Sequence, residues 1–124
     1  MIGFKISQVQ IAARLVRVAT DHPENEQYMT PAKRCGIMLH SKGSAEAYEL
    51  RVSQYNTNVT LAEVNGDIKR LKGKKVRDID YEYLPGKIIV TIVCGPRTKL
   101  SLVFWVNSGS FTKNMLTLRR FKRY

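Results

Sequence analysis

Residues 78–106 read DIDYEYLPGKIIVTIVCGPRTKLSLVFWV, and apolar and polar side chains alternate along three runs of this stretch. A period of two is typical of half-buried strands. Pro-Gly at residues 85–86 separates the first run from the second, and residues 95–98 separate the second from the third. These turn signals predict three antiparallel strands joined as a meander.

The first third of the chain predicts one short strand, two helices and a loop. Apolar residues alternate over residues 2–6, which favours a strand. Ser7 resembles an N-cap, and the apolar residues of 9–19 recur at helical spacing, so a helix is expected there. Residues 21–27 predict an exposed loop. Residues 30–43 open with threonine and proline and end at a glycine, which predicts a second helix.

Further along, the pattern predicts another strand and two more helices. Residues 48–52 alternate with period two and favour a half-buried strand. Residues 60–73 begin with a capping box and predict a helix, although Asn65-Gly66 inside it is a preferred turn. Residues 111–124 predict a basic C-terminal helix.

This order of elements indicates an α+β fold, a mainly antiparallel sheet with the three-stranded C-terminal meander, helices packed on one face and the basic C-terminal helix. At 124 residues with 44% hydrophobic residues, we expect a single compact domain over residues 1–124. No apolar run is long enough to cross a bilayer, so no membrane span is expected. The first residues lack the pattern of a secretory signal, which favours a cytoplasmic location.

The cysteines and histidines do not form a metal-binding pattern. Cys35 and Cys94 are far apart and lack CxxC spacing, and His22 and His40 are isolated. A tetrahedral zinc site needs four convergent ligands, so neither a metal ion nor another cofactor is expected.

Positive charge dominates the composition. The chain has 21 Lys and Arg against 10 Asp and Glu, a formal net charge of +11, and no acidic residue follows Glu82. One cationic cluster lies within residues 69–77 and a second within residues 119–123. The residues expected to bind nucleic acid are Arg14, Arg17, Lys69, Arg70, Lys72, Lys74, Lys75, Arg77, Arg119, Arg120, Lys122 and Arg123.

Two dense clusters without compensating acids favour a polyanionic partner over a merely solvated surface. Each phosphate that is neutralised releases a counterion, which gives affinity independent of base sequence. Arginine also binds phosphate with two hydrogen bonds and stacks on unpaired bases. The sequence therefore predicts a small basic nucleic-acid-binding protein, with RNA or a single strand favoured over a duplex.

Trp105 points to a second surface. Alternation places it on the strand face opposite Phe104, together with Ser101 and Val103. A base-stacking platform is one reading, but the carboxylates expected on that face would repel phosphate. A helix layer or another copy of the chain covering Trp105 is favoured, which makes it an interface residue and a homo-oligomer possible.

Catalysis has little support, and we expect the protein not to be an enzyme. Asp78, Asp80 and Glu82 share a strand face and in principle hold magnesium for a metal-dependent nuclease, the least favoured function. The main alternative is a viral or mobile-element structural protein that self-associates and meets an acidic partner or an anionic membrane with its basic surface.

Overall fold

The structure of the protein is a computed structural model that describes residues 2–14, 17–33, 35–42, 46–52, 59–106 and 116–122. Most of these residues lie in strands, and both helices are short. The strands are β1 (Gln8–Ala13), β2 (Ala19–Thr20), β3 (Met29–Pro31), β4 (Gly36–His40), β5 (Glu46–Val52), β6 (Val59–Asn65), β7 (Asp78–Leu84), β8 (Lys87–Gly95), β9 (Thr98–Val106) and β10 (Leu116–Lys122). The helices are a 3₁₀ helix (Pro23–Tyr28) and α1 (Ile68–Leu71).

The strands form two five-stranded sheets. The first has the order β10-β5-β4-β1-β3 and the second β2-β6-β9-β8-β7. The β1–β3 and β2–β6 pairs are parallel, and the other neighbours are antiparallel. The inner faces of both sheets contribute to one hydrophobic core. The protein is therefore a β-sandwich, and the predicted α+β fold with helices packed on one face is wrong.

The predicted meander is confirmed. Strands β7, β8 and β9 pair in the expected order, with Ile88 opposite Phe104 and Val90 opposite Leu102. All four of these side chains are buried. The strand expected over residues 48–52 is also confirmed as part of β5.

The helix predicted over residues 7–19 is instead strand β1, followed by β2. Val9, Ile11 and Ala13 are buried while Gln8 and Gln10 are exposed, which is a period of two. Other apolar residues in this stretch also fit a helical period, which is why the sequence alone predicted a helix. Residues 8–13 form a strand because they pair with β3 and β4. The Ser7 hydroxyl donates a hydrogen bond to the His40 carbonyl instead of capping a helix.

The helix predicted over residues 30–43 is also wrong, because β3 and β4 occupy this part of the chain. Gly36 explains the tight packing there. A Cβ atom at Gly36 would collide with the carbonyl oxygen of Leu50 and the backbone of Arg51, so the approach of β4 to β5 requires glycine.

The structure corrects three other predicted elements. The predicted helix at residues 60–73 is strand β6 followed by α1, and Gly66 between them has a φ of 118°, which a turn glycine adopts. The predicted loop at residues 21–27 contains the 3₁₀ helix. Residues 116–122 of the predicted C-terminal helix form β10, which pairs with β5; residues 111–115, 123 and 124 lie outside the described residues.

Asn25 joins the 3₁₀ helix to the start of α1. Its side chain is completely buried, and its amide donates to the carbonyl of Gly66 (2.7 Å) and the hydroxyl of Thr20 (3.0 Å). Its carbonyl oxygen accepts the amide of Ile68 at 3.2 Å. One polar side chain thus satisfies the buried backbone groups where β6 leaves its sheet.

We expect Asn25→Ala to lower the free energy of unfolding by about 2–4 kcal/mol, because it leaves the Gly66 carbonyl and the Ile68 amide without partners. Urea denaturation measures this change. Gln27→Ala, at an exposed position of the same 3₁₀ helix, is the matched control and should change stability by less than about 0.5 kcal/mol. Equal effects of the two substitutions would contradict the role assigned to Asn25.

Candidate nucleic-acid interface

The segment between β6 and β7 crosses one end of the sandwich and is held there by backbone hydrogen bonds to the N-terminal residues. The amide of Ile6 donates to the carbonyl of Lys74, and the amide of Val76 donates to that of Phe4, both at 2.9 Å. The amide of Gly73 donates to the carbonyl of Ile6 at 2.6 Å. This pairing holds the side chains of Lys74, Lys75 and Arg77 at the surface.

The cationic residues of this segment are exposed, as expected. They are Lys69, Arg70, Lys72, Lys74, Lys75 and Arg77. Between them, Leu71 and Val76 are buried and anchor the segment to the core. These two buried side chains therefore hold the backbone of the segment against the core, while its lysine and arginine side chains extend into solvent.

The positive charge of this segment is partly neutralised by carboxylates in its first half and is left uncompensated in its second half. Arg70 lies 3.7 Å from the carboxylate of Asp67, and Glu24 is close enough to Lys69 for its pKa to be affected by that charge. The pKa of Glu24 is lowered chiefly by a backbone hydrogen bond and by His22. The uncompensated charge is thus centred on Lys74, Lys75 and Arg77.

Two adjoining grooves flank this uncompensated half. One is lined by Lys5, Ile6, Ser7, Ser41, Lys42 and Gly73, and the other by Ile2, Gly3, Gly73, Lys74, Lys75, Val76, Arg77 and Cys94. Neither lining contains Asp or Glu among the described residues. We define the cationic end as Lys5, Lys42, Lys74, Lys75 and Arg77.

Lys5 and Lys42 were not identified from the sequence. Each is an isolated cation in its own segment, and only the pairing of the N-terminal residues with residues 73–76, together with the end of β4, places them here. The bridge between Lys5 and Lys75 is the contact that unites the two segments. A run of charge in the sequence does not reveal this contact, because the two residues are distant along the chain.

The C-terminal cluster reaches the same end through a chain of contacts. Arg120 is exposed and lies opposite Tyr48 in the β5–β10 pair. The ring centroid of Tyr48 is 4.8 Å from that of Phe4, in an edge-to-face contact at 77°. The carbonyl of Phe4 in turn accepts the amide of Val76. Arg119 and Lys122 belong to the same strand, and Arg123 lies outside the described residues.

The structure places Arg14 and Arg17 elsewhere. Arg14 follows β1 at the opposite end of the sandwich, where its guanidinium donates to the carbonyl of Lys33 at 3.2 Å and to that of Val59. It connects the two sheets. Arg17 is exposed and precedes β2, outside both grooves.

Trp105 is 56% exposed on the outer face of the second sheet, as its alternation with buried Phe104 predicts. It lies opposite Lys87 and Thr60, near the end of the sandwich remote from the cationic end. The helix layer expected over it is wrong, since the only described helices are the 3₁₀ helix and α1. Trp105 and the cationic end are separate surfaces.

The carboxylates considered for a nuclease do not converge. Asp78, Asp80 and Glu82 follow one face of β7, each two residues from the next. In the described part of the chain, the one group of three metal-ligating side chains with donor atoms within 4.8 Å of one another is His22, Glu24 and Asp67. The Asp67 carboxylate already accepts a hydrogen bond from the backbone amide of Lys69 and contacts the guanidinium of Arg70. This carboxylate therefore has partners within the chain.

Cys94 borders one groove without being an activated thiol. Burial raises the pKa of Cys94, and the positive charge of Arg77 only partly opposes this effect. The Cys94 thiol therefore stays protonated near neutral pH. Cys94 acts as a small core residue, and Cys35 is likewise buried.

Comparisons with known proteins found no matching family model, curated protein or solved structure. Within the described residues, neither helix is long and apolar enough to cross a membrane. The geometry of the cationic end is therefore the feature from which a function can be inferred.

We expect Phe4→Ala to loosen the cationic end, because it removes the ring contact to Tyr48 that holds residues 3–6 in place. Stability should fall by about 1–3 kcal/mol, and hydrogen exchange at the Val76 amide should accelerate. Phe4→Leu retains apolar burial and should lie between Phe4→Ala and the unchanged protein in both measurements. Unchanged exchange at Val76 would show that the contact does not hold the segment.

Proposed function

We propose that the protein binds nucleic acid, RNA or a single strand in preference to a duplex, by placing phosphates against the cationic end. The observation that carries the proposal is the convergence of Lys5, Lys42 and residues 74–77 around two grooves that no described carboxylate lines. Arg120 extends the same surface. Sites of this kind attract a polyanion by the summed field of several cations rather than by one contact.

The cations of the grooves are available for phosphate. In the described part of the chain, Lys5, Lys42 and residues 74–77 take part in no ion pair. Exposed charges of one sign repel each other, and a bound phosphate backbone relieves that repulsion while releasing counterions. The proposal therefore explains why like charges are held together at this end.

The shape of the site favours a single strand. Duplex sequence is most often read by a helix inserted into the major groove, and the longest described helix has six residues. Two adjoining grooves on either side of a backbone segment instead suit one phosphate chain at a time. The contacts are with phosphate rather than with base edges, so binding is expected to depend weakly on sequence. In the cytoplasm, the predicted location, RNA is the abundant ligand of this chemistry.

Filter binding with RNA, single-stranded DNA and duplex DNA of equal length tests the proposal directly. We expect both single strands to bind more tightly than the duplex, and affinity to fall steeply between about 50 and 200 mM salt. Equal affinity at both salt concentrations, or binding to an acidic protein or anionic vesicles but to none of the nucleic acids, would refute it.

A second test separates the site from net charge. Lys74→Ala/Lys75→Ala and Lys5→Ala/Lys42→Ala each remove two cations from the grooves, and each pair should weaken single-strand binding about tenfold. The salt dependence should also lose about 0.7 of its log–log slope for each phosphate contact removed. Lys33→Ala, exposed at the remote end, is the control and should have little effect. Similar losses in all three variants would mean that charge alone, and not this site, governs binding.

A further inference from the structure

The outer face of the second sheet carries a row of side chains with a carboxylate at each end and apolar groups between them. The row crosses the sheet from β7 to β6 and consists of Glu82, Ile89, Val103 and Glu63, each opposite the next in the strand pairing. Leu102 and Phe104, on either side of Val103 in β9, are completely buried in the core. Because side chains alternate along a strand, the row therefore lies on the face turned away from the core.

Trp105 adjoins the centre of this row. It follows Val103 by two residues in β9 and so lies on the same face. Val103 is 4% exposed and Ile89 is half-buried, whereas Trp105 is 56% exposed. An exposed indole beside apolar side chains is typical of the centre of a protein interface.

The carboxylates around this apolar centre are available to a partner. Asp80 is exposed two residues before Glu82 and lies on the same face of β7. Among the described residues, none of Asp80, Glu82 and Glu63 takes part in an ion pair. Lys87 is one row away, opposite Trp105. This face therefore attracts cations, although the chain as a whole has a net charge of +11.

We propose that this surface docks a cationic segment of a partner protein. We define the Trp105 face as Glu63, Asp80, Glu82, Ile89, Val103 and Trp105. An apolar side chain of the partner packs against Ile89 and Trp105, and a lysine or arginine at each end of the row meets a carboxylate.

Charge selects this occupant over two others. The carboxylates of the Trp105 face repel a phosphate backbone, so base stacking on Trp105 is disfavoured. Two copies of the chain that met through this face would bring like charges together, which is also unfavourable. The proposal does not depend on the proposed function, because the cationic end is a separate surface.

Strand spacing sets the pattern that the partner segment should carry. Glu82 and Glu63 lie on strands separated by three inter-strand spacings, which is a distance of about 14 Å. In an extended segment, residues four apart are separated by about 13 Å and point to the same side, with the residue midway between them. The segment should therefore read cation-x-apolar-x-cation and cross the strands of the sheet.

The fluorescence of Trp105 tests this docking directly, since it is the one tryptophan in the sequence. The probe is the peptide Gly-Arg-Ser-Leu-Ser-Arg-Gly with both termini blocked. We expect a saturable shift of the emission to shorter wavelength, because the peptide replaces water around the indole. The peptide Gly-Arg-Arg-Leu-Ser-Ser-Gly has the same composition without the spacing and should bind about threefold more weakly or worse.

Substitutions at the ends of the row test the charge contacts. Glu82→Gln and Glu63→Gln should each weaken peptide binding about threefold, and the double variant about tenfold. Glu26→Gln, at an exposed position of the 3₁₀ helix, is the matched control and should not change it. Lys87→Gln should strengthen binding about twofold, because it removes a like charge beside the segment.

Several results would overturn the proposal. They are the absence of a saturable shift at millimolar peptide, equal affinity for the two arginine spacings, and equal losses in Glu26→Gln and Glu82→Gln. An emission shift on raising the protein concentration alone would mean that a second copy covers Trp105, and a shift with a single-stranded oligonucleotide would mean that bases stack there. Either of these would also refute the assigned partner. Oligonucleotide binding at the cationic end without peptide binding would leave the proposed function standing while this proposal fails.

Discussion

The short antiparallel pairing between residues 3–6 and residues 73–76 is the constraint on which the functional end depends. It brings the N-terminus, the end of β4 and the approach to β7 together, although these segments are distant in sequence. Ile6, Leu71 and Val76 are buried beneath it, so the core holds the pairing in place. Without it, the groove lined by Lys5 and Lys42 would not adjoin the groove lined by Lys74 and Lys75, and the chain would have scattered cations rather than a site.

The charged residues of this protein have different roles in different parts of the fold. At the start of α1, Arg70 and Lys69 lie near carboxylates, and their charge serves partly to stabilise local structure. Arg14 is likewise used within the fold, where it connects the two sheets through backbone carbonyls. The cations of the grooves have no such partner among the described side chains, so they remain free to act on a ligand. The acidic residues of β7 lie on a separate edge.

Local patterns predicted local structure and failed where pairing is distant. The meander β7-β8-β9 joins neighbours through tight turns, so alternation and turn residues were sufficient to predict it, including the placement of Phe104 and Trp105 on opposite faces of β9. Residues 8–13 satisfy both the helical and the strand period, and only pairing with β3 and β4 decides between them. The cluster at residues 69–77 was visible as a run of charge, whereas Lys5 and Lys42 join it only through tertiary contacts.

Chemical-shift mapping with a short single-stranded oligonucleotide tests the central claim most directly, since it reports where on the surface the ligand lies. We expect perturbed amides to cluster at residues 3–7, 41–42 and 73–77, with the end of β10 beside them and the surroundings of Trp105 unchanged. Perturbations centred on Trp105, or spread evenly over both ends of the sandwich, would contradict the claim that the cationic end is the binding site.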